Sequence, residues 1–156
     1  MSVTATHPAG SAALEALYQE QILAHYRHPH GKGTLAAADA TVTTRNPLCG
    51  EEATVTVTLD RTGPDVRVRD IRFTSDGCSI SQASASMMTD LARGRTATEI
   101  AALTDRFADL LRGDAAATHD ETLGPLQAFA TLSRVPARIP CALLAWKALA
   151  DALRPQ

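Results

Sequence analysis

Cysteine is scarce in this chain, because its 156 residues include only three. Cys49, Cys78 and Cys141 lie 29 and 63 positions apart, so no cysteine has another close by in sequence. An odd number of thiols at such spacings does not fit the disulfide framework of a small secreted protein. The cysteines therefore predict a protein of the reducing cytosol that carries free thiols.

The chain also lacks an excess of charge of either sign. It has 15 basic and 17 acidic residues, which give a formal net charge of -2. No basic stripe is present that would neutralise a phosphate backbone. Nucleic acid is therefore not expected as a partner.

Long hydrophobic runs are missing as well. The longest apolar run ends at Trp146 and is far shorter than the roughly 20 residues needed to span a bilayer. Residues 1–10 have neither the basic segment nor the apolar core of a secretory signal. We therefore expect a soluble, cytoplasmic protein with no membrane partner.

The first half of the chain predicts one helix and a small sheet. Residues 12–28 have apolar side chains at helical spacing, and Pro29 ends the pattern. Residues 54–59 alternate and are rich in β-branched side chains, and after a turn at Gly63 and Pro64 an extended pattern resumes over 66–73. These two segments predict an antiparallel hairpin, to which residues 40–45 add a third strand.

The second half predicts helices. The period changes from Ile80 onwards, Thr96 and Glu99 form a capping-box pattern, and a polar stretch at 114–121 follows. The last helix should start near Pro140, since proline is tolerated in a first turn. We therefore expect an α+β fold with a small antiparallel three-stranded sheet packed against about five helices. A single domain over residues 12–154 would follow a flexible tail at 1–11.

Each cysteine is expected at the end of an element. Cys49 lies between a turn-forming Asn-Pro pair and Gly50, which predicts an exposed loop tip. Cys78 opens a helix after the third strand, and Cys141 lies in the first turn of the last helix. Helix amino ends favour anions and lower thiol pKa values, so we expect Cys78 and Cys141 to favour the thiolate.

Three thiolates at one end of a sheet would repel each other unless a cation neutralised them, and zinc and iron accept such ligands. Glu51, two residues after Cys49, is a candidate for the fourth ligand. Asp76, Glu52 and the histidines compete with it. For each thiol taken alone, the alternative is a small buried hydrophobe. A histidine group near the end of the first helix favours compensation of the helix dipole over a metal site; its members are His25, His28 and His30.

Three cysteine motifs, taken together, resemble the U-type iron-sulfur assembly proteins of the IscU/NifU-like family, and most closely the SufU branch. The motifs are Asn-Pro-Leu-Cys-Gly-Glu at 46–51, Asp-Gly-Cys-Ser-Ile-Ser at 76–81, and Pro-Ala-Arg-Ile-Pro-Cys-Ala at 136–142. The likeness runs from about residue 14 to residue 150. It implies an α+β fold in which the cysteines converge at one end of the sheet.

The resemblance also implies a ligand set. Zinc would be bound by Cys49, Glu51, Cys78 and Cys141, and the same ligands would alternatively hold iron or a transient [2Fe-2S] cluster. The family usually has aspartate where Glu51 stands. The carboxylate is kept here, but on a side chain that is one methylene longer.

Two features separate the branches of this family. IscU-type scaffolds usually have histidine before the third cysteine and a chaperone-binding motif shortly upstream, whereas this chain has Pro140 and a different sequence at 135–139. SufU-type proteins have an insertion between the last helices and an arginine three residues before the third cysteine. Residues 111–126 and Arg138 match that description.

The resemblance therefore implies a zinc-dependent sulfurtransferase of the SUF pathway. It would accept persulfide sulfur on Cys49 from a pyridoxal-phosphate-dependent cysteine desulfurase of the SufS type, a histidine of which takes the place of the first cysteine on zinc in the resembling proteins. Downstream SUF assembly proteins would be further partners. Arg138 would steady the persulfide or the carboxylate, or else form a surface salt bridge. The alternatives are a non-enzymatic [2Fe-2S] scaffold and a structural zinc module.

Overall fold

One antiparallel sheet lies at the centre of the molecule. The computed structural model describes residues 2–155, with side chains for 12–155. The sheet has the order β1-β2-β3, with β1 at Ala40–Arg45, β2 at Glu52–Asp60 and β3 at Arg67–Ser75. The predicted three-stranded antiparallel sheet is confirmed.

Helices precede and follow the sheet: α1 (Ser2–Arg27), α2 (Ser79–Ala92), α3 (Ala97–Leu111), α4 (Ala115–Thr118) and α5 (Ile139–Ala152). Two 3₁₀ segments, Glu121–Arg134 and Pro136–Arg138, connect α4 to α5. The predicted α+β class is confirmed. Within residues 2–155, no helix combines the length and the apolar character needed to cross a membrane.

The first helix is longer than predicted. Its backbone is helical from Ser2, whereas the apolar spacing placed its start at residue 12. Residues 2–11 contain no apolar stripe, so periodicity gave no signal for this part of the helix. The side chains of residues 1–11 lie outside the described part of the chain, and the division into a tail and a domain stays a prediction.

The core lies between the sheet and the long helices. α5 packs on β1, β2 and α2, and α2 also packs on β3. The central strand β2 buries alternate apolar side chains from Ala53 to Leu59. Three aromatic rings pack together between α3, α5 and the first 3₁₀ segment. The centroid of the Phe107 ring lies 5.7 Å from the centroids of both the Phe129 and the Trp146 rings. These contacts hold the middle of α5, the helix that carries one of the three cysteines, in the core.

The polar stretch after α3 is fastened to that helix by Arg106. The guanidinium group donates to Asp120 at 2.8 Å and to Asp109 at 3.1 Å. Asp120 also accepts the backbone N–H of Thr122 at 2.9 Å and begins the first 3₁₀ segment. Hydrogen bonds from the Thr122 hydroxyl and from Arg106 lower the pKa of Asp120 to about 2. The segment that leads to Arg138 and Cys141 is thereby anchored to α3.

Candidate metal centre

Cys49 stands at the tip of a tight loop between β1 and β2. Asn46, which is buried, holds the loop closed: its side-chain oxygen accepts the N–H of Leu48 at 3.1 Å, and its carbonyl accepts the N–H of Gly50 at 2.7 Å. Gly50 has a φ of 75°, a conformation that favours glycine. The Cys49 side chain is exposed, as the sequence predicted.

Cys78 and Cys141 are at the amino ends of α2 and α5. Cys78 is the N-cap residue of α2, with extended backbone angles and no capping hydrogen bond from its own side chain. Cys141 lies in the first turn of α5 directly after Pro140, and only 6% of it is exposed. Both placements agree with the sequence prediction.

Glu51 and two of the thiols meet in one cluster. One carboxylate oxygen of Glu51 and the sulfur atoms of Cys49 and Cys141 all lie within 4.8 Å of one another. Cys78 borders the same group, because its backbone N–H donates to Glu51 Oε1 at 2.6 Å. The structure therefore brings together the four residues that were predicted to bind metal, whose role as ligands stays a prediction.

The Glu51 carboxylate is ionised by its surroundings. Partial burial opposes ionisation, but the hydrogen bonds from the Cys78 backbone and from the three cysteine side chains outweigh it and lower the pKa of Glu51 to about 2. Its second oxygen, Oε2, accepts the hydroxyl of Ser81 at 3.1 Å. At neutral pH a fixed negative charge thus lies among the thiols.

Cys141 differs from the expectation for a helix amino end. Burial, together with the hydrogen bond and charge of Glu51 and the nearby Cys78, raises the pKa of the Cys141 thiol to about 12. The expectation that the amino end of α5 favours the thiolate of Cys141 is therefore wrong, since desolvation and a neighbouring carboxylate outweigh the helix dipole. A cation bound at the same site would reverse this balance.

The donor set fits zinc. Zn²⁺ is bound by cysteine sulfur and by carboxylate oxygen, and three sulfur atoms with one such oxygen supply the four ligands of a tetrahedral site. The thiolates also suit iron-sulfur chemistry. The negative carboxylate of Glu51 beside the protonated thiol of Cys141 also suits a cation that displaces the thiol proton. The residues present therefore match the metal that the sequence resemblance implied.

The competing ligands have other partners. Asp76 accepts the backbone N–H of Glu52 at 2.8 Å, and the Glu52 side chain pairs with Arg45 at 3.3 Å. His25 and His30 meet α2 instead, through Ser86 and Asp90 respectively. None of these four groups belongs to the cluster around Glu51.

Arg138 reaches the site from the short 3₁₀ segment before α5. Its Nη1 lies 3.4 Å from the sulfur of Cys78, and no salt bridge is found for it among the described residues. Arg138 is exposed to solvent. The contact favours the predicted role at the thiols over a surface salt bridge, and that role stays a prediction.

Ser81 is the site residue that the sequence reasoning missed. It lies three positions after the N-cap residue Cys78, a spacing that brings a helical side chain back over the first turn. Its hydroxyl lies 3.7 Å from the sulfur of Cys78. A serine at that position of a cysteine-capped helix is the signal that would have identified it.

Comparison with known proteins places this geometry in context. The family described as the NifU-like N terminal domain matches residues 17–155. The zinc-dependent sulfurtransferase SufU of Bacillus subtilis (strain 168) is 39% identical over 141 residues, which cover 89% of this chain and 90% of that protein. The iron-sulfur cluster assembly scaffold protein IscU of Streptococcus pyogenes serotype M1 is 37% identical over 141 residues, covering 90% and 85% of the two chains.

A solved structure has a similar fold. The crystal structure of the N-terminal part of a nitrogen-fixing NifU-like protein from Brucella abortus superposes with a TM-score of 0.74. The two sequences are 29% identical, and the match covers 86% of this chain and 90% of the other.

Proposed function

Because this chain belongs to the NifU-like N-terminal domain family of iron-sulfur cluster assembly proteins, we propose that it is a zinc-dependent sulfurtransferase of the SUF pathway. It accepts persulfide sulfur on Cys49 from a cysteine desulfurase of the SufS type and passes it to downstream SUF assembly proteins. We place this activity in the cytoplasm.

The unequal exposure of the thiols carries the proposal. Cys49 is exposed at a loop tip, Cys78 is half-buried and Cys141 is buried. A thiol that attacks a sulfur held by another protein must be reachable, and only Cys49 is fully so. Leu48 beside it is 85% exposed, which suits a loop that is covered when a protein partner docks.

The reaction is a thiol exchange at the outer sulfur of the desulfurase persulfide. The Cys49 thiolate attacks that sulfur and forms a new S–S bond, while the bond inside the donor persulfide breaks and the donor cysteine leaves as a thiolate. No external oxidant or reductant is needed, since one persulfide replaces another. Zinc, when bound by Cys49, Glu51, Cys78 and Cys141, would keep the thiols deprotonated at neutral pH.

The other residues divide the remaining roles. Cys141 is fixed by α5 and Cys78 by α2, so both suit a permanent anchor. Arg138, within reach of the Cys78 sulfur, supplies a positive charge for the anionic persulfide. Glu51 supplies the oxygen ligand.

The test combines metal content with sulfur transfer. The wild type should bind one zinc per chain, stimulate its cognate desulfurase and gain one sulfur atom by mass. Cys49→Ala should lose stimulation and the added sulfur while remaining folded, because an exposed loop side chain contributes little to stability. Lys147→Ala, a change at an exposed position of α5, is the control. Stimulation that survives in Cys49→Ala would contradict the proposal.

A second candidate function is a scaffold for a [2Fe-2S] cluster. The similarity to a relative named as a scaffold favours it, and the same three thiols and carboxylate would bind the cluster. Reconstitution with iron and sulfide should then give a coloured protein that transfers its cluster to an apo-protein. A wild type that transfers no cluster but accepts sulfur on Cys49 would rule this candidate out.

A further inference from the structure

Ser81 is a buried polar residue that faces the candidate metal centre. Only 2% of it is exposed, although serine is usually a surface residue. A buried hydroxyl needs a hydrogen-bond partner, and Ser81 finds one in Glu51 Oε2 at 3.1 Å. The hydroxyl therefore bonds to a residue of the candidate metal centre.

The other oxygen of Glu51 is fastened to the same helix. Oε1 accepts the backbone N–H of Cys78 at 2.6 Å, at the amino end of α2. Cys78 itself gives α2 no side-chain cap, and the Glu51 carboxylate, from the loop between β1 and β2, instead accepts the N–H of the N-cap residue. Two hydrogen bonds, one to each oxygen, fix both the position and the plane of the carboxylate.

Gly77 provides the space for this arrangement. A Cβ atom at position 77 would lie 2.8 Å from the Cβ of Ser81 and 3.2 Å from Glu51 Oε1. Its φ lies outside the left-handed region, so glycine is needed here for room and not for backbone freedom. The pocket made by Gly77, Cys78 and Ser81 thus fits the end of a long side chain.

The length of Glu51 matters for the same reason. An aspartate at 51 would be shorter by one methylene, a bond length of about 1.5 Å. With the backbone in place it would not reach both the Cys78 N–H and the Ser81 hydroxyl. The glutamate and the serine are therefore matched to each other.

We infer that Ser81 is a positioning residue, which together with the Cys78 N–H orients the Glu51 carboxylate so that glutamate serves as the oxygen ligand in this chain. The inference rests on the proposed function in so far as the site binds zinc. Residues that hydrogen-bond to a metal ligand commonly change metal affinity by about 10- to 100-fold. The expected effect of removing the hydroxyl is a loss of at least about tenfold in zinc affinity.

A double-mutant cycle on zinc affinity tests this role. Affinity is measured by competition with a chromophoric chelator for the wild type, Ser81→Ala, Glu51→Asp and the double variant. Both single changes break the same hydrogen bond, so their effects should not add. We expect Ser81→Ala to weaken zinc binding about tenfold in the wild-type background and to change it less than about twofold in the Glu51→Asp background. Ser79→Ala, on the same turn of α2, is the matched control and should bind zinc as the wild type does.

Cobalt in place of zinc gives a readout that a purely structural role would not move. The visible bands of tetrahedral Co²⁺ depend on the identity and geometry of its ligands. Ser81→Ala should change these bands when the oxygen ligand is lost or reoriented, whereas Ser79→Ala should not.

Two outcomes would overturn the inference in different ways. A wild type that binds no zinc would remove the metal site and the positioning role with it. A wild type that binds zinc, with Ser81→Ala of equal affinity and identical cobalt bands, would overturn the positioning role and leave the proposed sulfurtransferase intact.

Discussion

At its amino end, α2 directs Ser81 towards Glu51 and the thiols, whereas one turn further along it directs Ser84 into the core. Ser84 is fully buried: its hydroxyl donates to the carbonyl of Ala142 at 2.6 Å and accepts the indole N–H of Trp146 at 3.1 Å. One serine orients a charged candidate ligand, and the other joins α2 to α5. Two buried serines on one helix thus have different roles, one at the candidate metal centre and one in the packing of the core. Substitution can separate these roles.

Trp146→Ala should have the largest effect on stability. The indole is fully buried against Phe107, and Trp→Ala changes in protein cores typically lower the free energy of unfolding by about 3–5 kcal/mol. Urea unfolding of the zinc-free protein measures the change. Lys147→Ala, at the adjacent exposed position, should stay within about 0.5 kcal/mol of the wild type. A small effect at Trp146 would weaken the assignment of Ser84 and its α5 partner to the core.

Ser84→Ala should come next. It leaves the buried indole N–H of Trp146 without its acceptor, which typically costs about 1–3 kcal/mol. Urea unfolding should show this loss, while chelator competition should show an unchanged zinc affinity. Ser81→Ala should instead weaken zinc binding and leave the free energy of unfolding of the zinc-free protein nearly unchanged. If Ser84→Ala weakened zinc binding as much as Ser81→Ala, the distinction between the two serines would be lost.

His25 should have a smaller effect that depends on pH. It joins α1 to α2 through Ser86, and burial together with the charge of His30 lowers its pKa, against a weaker opposite effect of Asp90. The unfolded chain therefore binds more protons than the folded one as pH falls below about 6.5, so stability should decrease there.

Thermal unfolding between about pH 7.5 and pH 5.5 tests this expectation. His25→Gln should reduce the decrease in melting temperature seen at the acidic end. The exposed neighbour His28 offers the control His28→Gln. A wild type whose melting temperature did not fall at the acidic end would contradict the role of His25.

Arg138→Met should have the smallest effect on stability, within about 0.5 kcal/mol, because the side chain is exposed. Sulfur acceptance from the desulfurase should nevertheless fall several-fold, since the site loses the positive charge that we propose for the anionic persulfide. Arg134→Met is the control, an exposed arginine that pairs with Glu15 at 2.9 Å. If both variants accepted sulfur as well as the wild type does, Arg138 would have no role in sulfur transfer.

Local signals in the sequence predicted much of the fold. Alternation predicted the hairpin, and the capping box at Thr96 and Glu99 is present in full. The proline before Cys141 correctly placed this thiol in a first turn. These features succeed because each depends on a few neighbouring residues.

Other features depend on residues far apart in the chain. The helical turn α4 and the irregular segment with Gly124 at a φ of 51° are fixed by Arg106 and Asp120 and carry no periodicity. The raised pKa of Cys141 follows from burial beside Glu51, which no local pattern contains. The sequence thus predicted which residues would lie close together, but it did not predict the pKa of Cys141.

The space at Gly77 restricts the order in which this site could change during evolution. A side chain at position 77 would meet both Ser81 and the Glu51 carboxylate. Shortening Glu51 to aspartate relieves only one of these clashes, because the Cβ of Ser81 remains 2.8 Å away. Since every residue other than glycine has a Cβ, a lineage that replaced Gly77 would first need glycine at position 81 as well. That change would already remove the hydroxyl that hydrogen-bonds to Glu51.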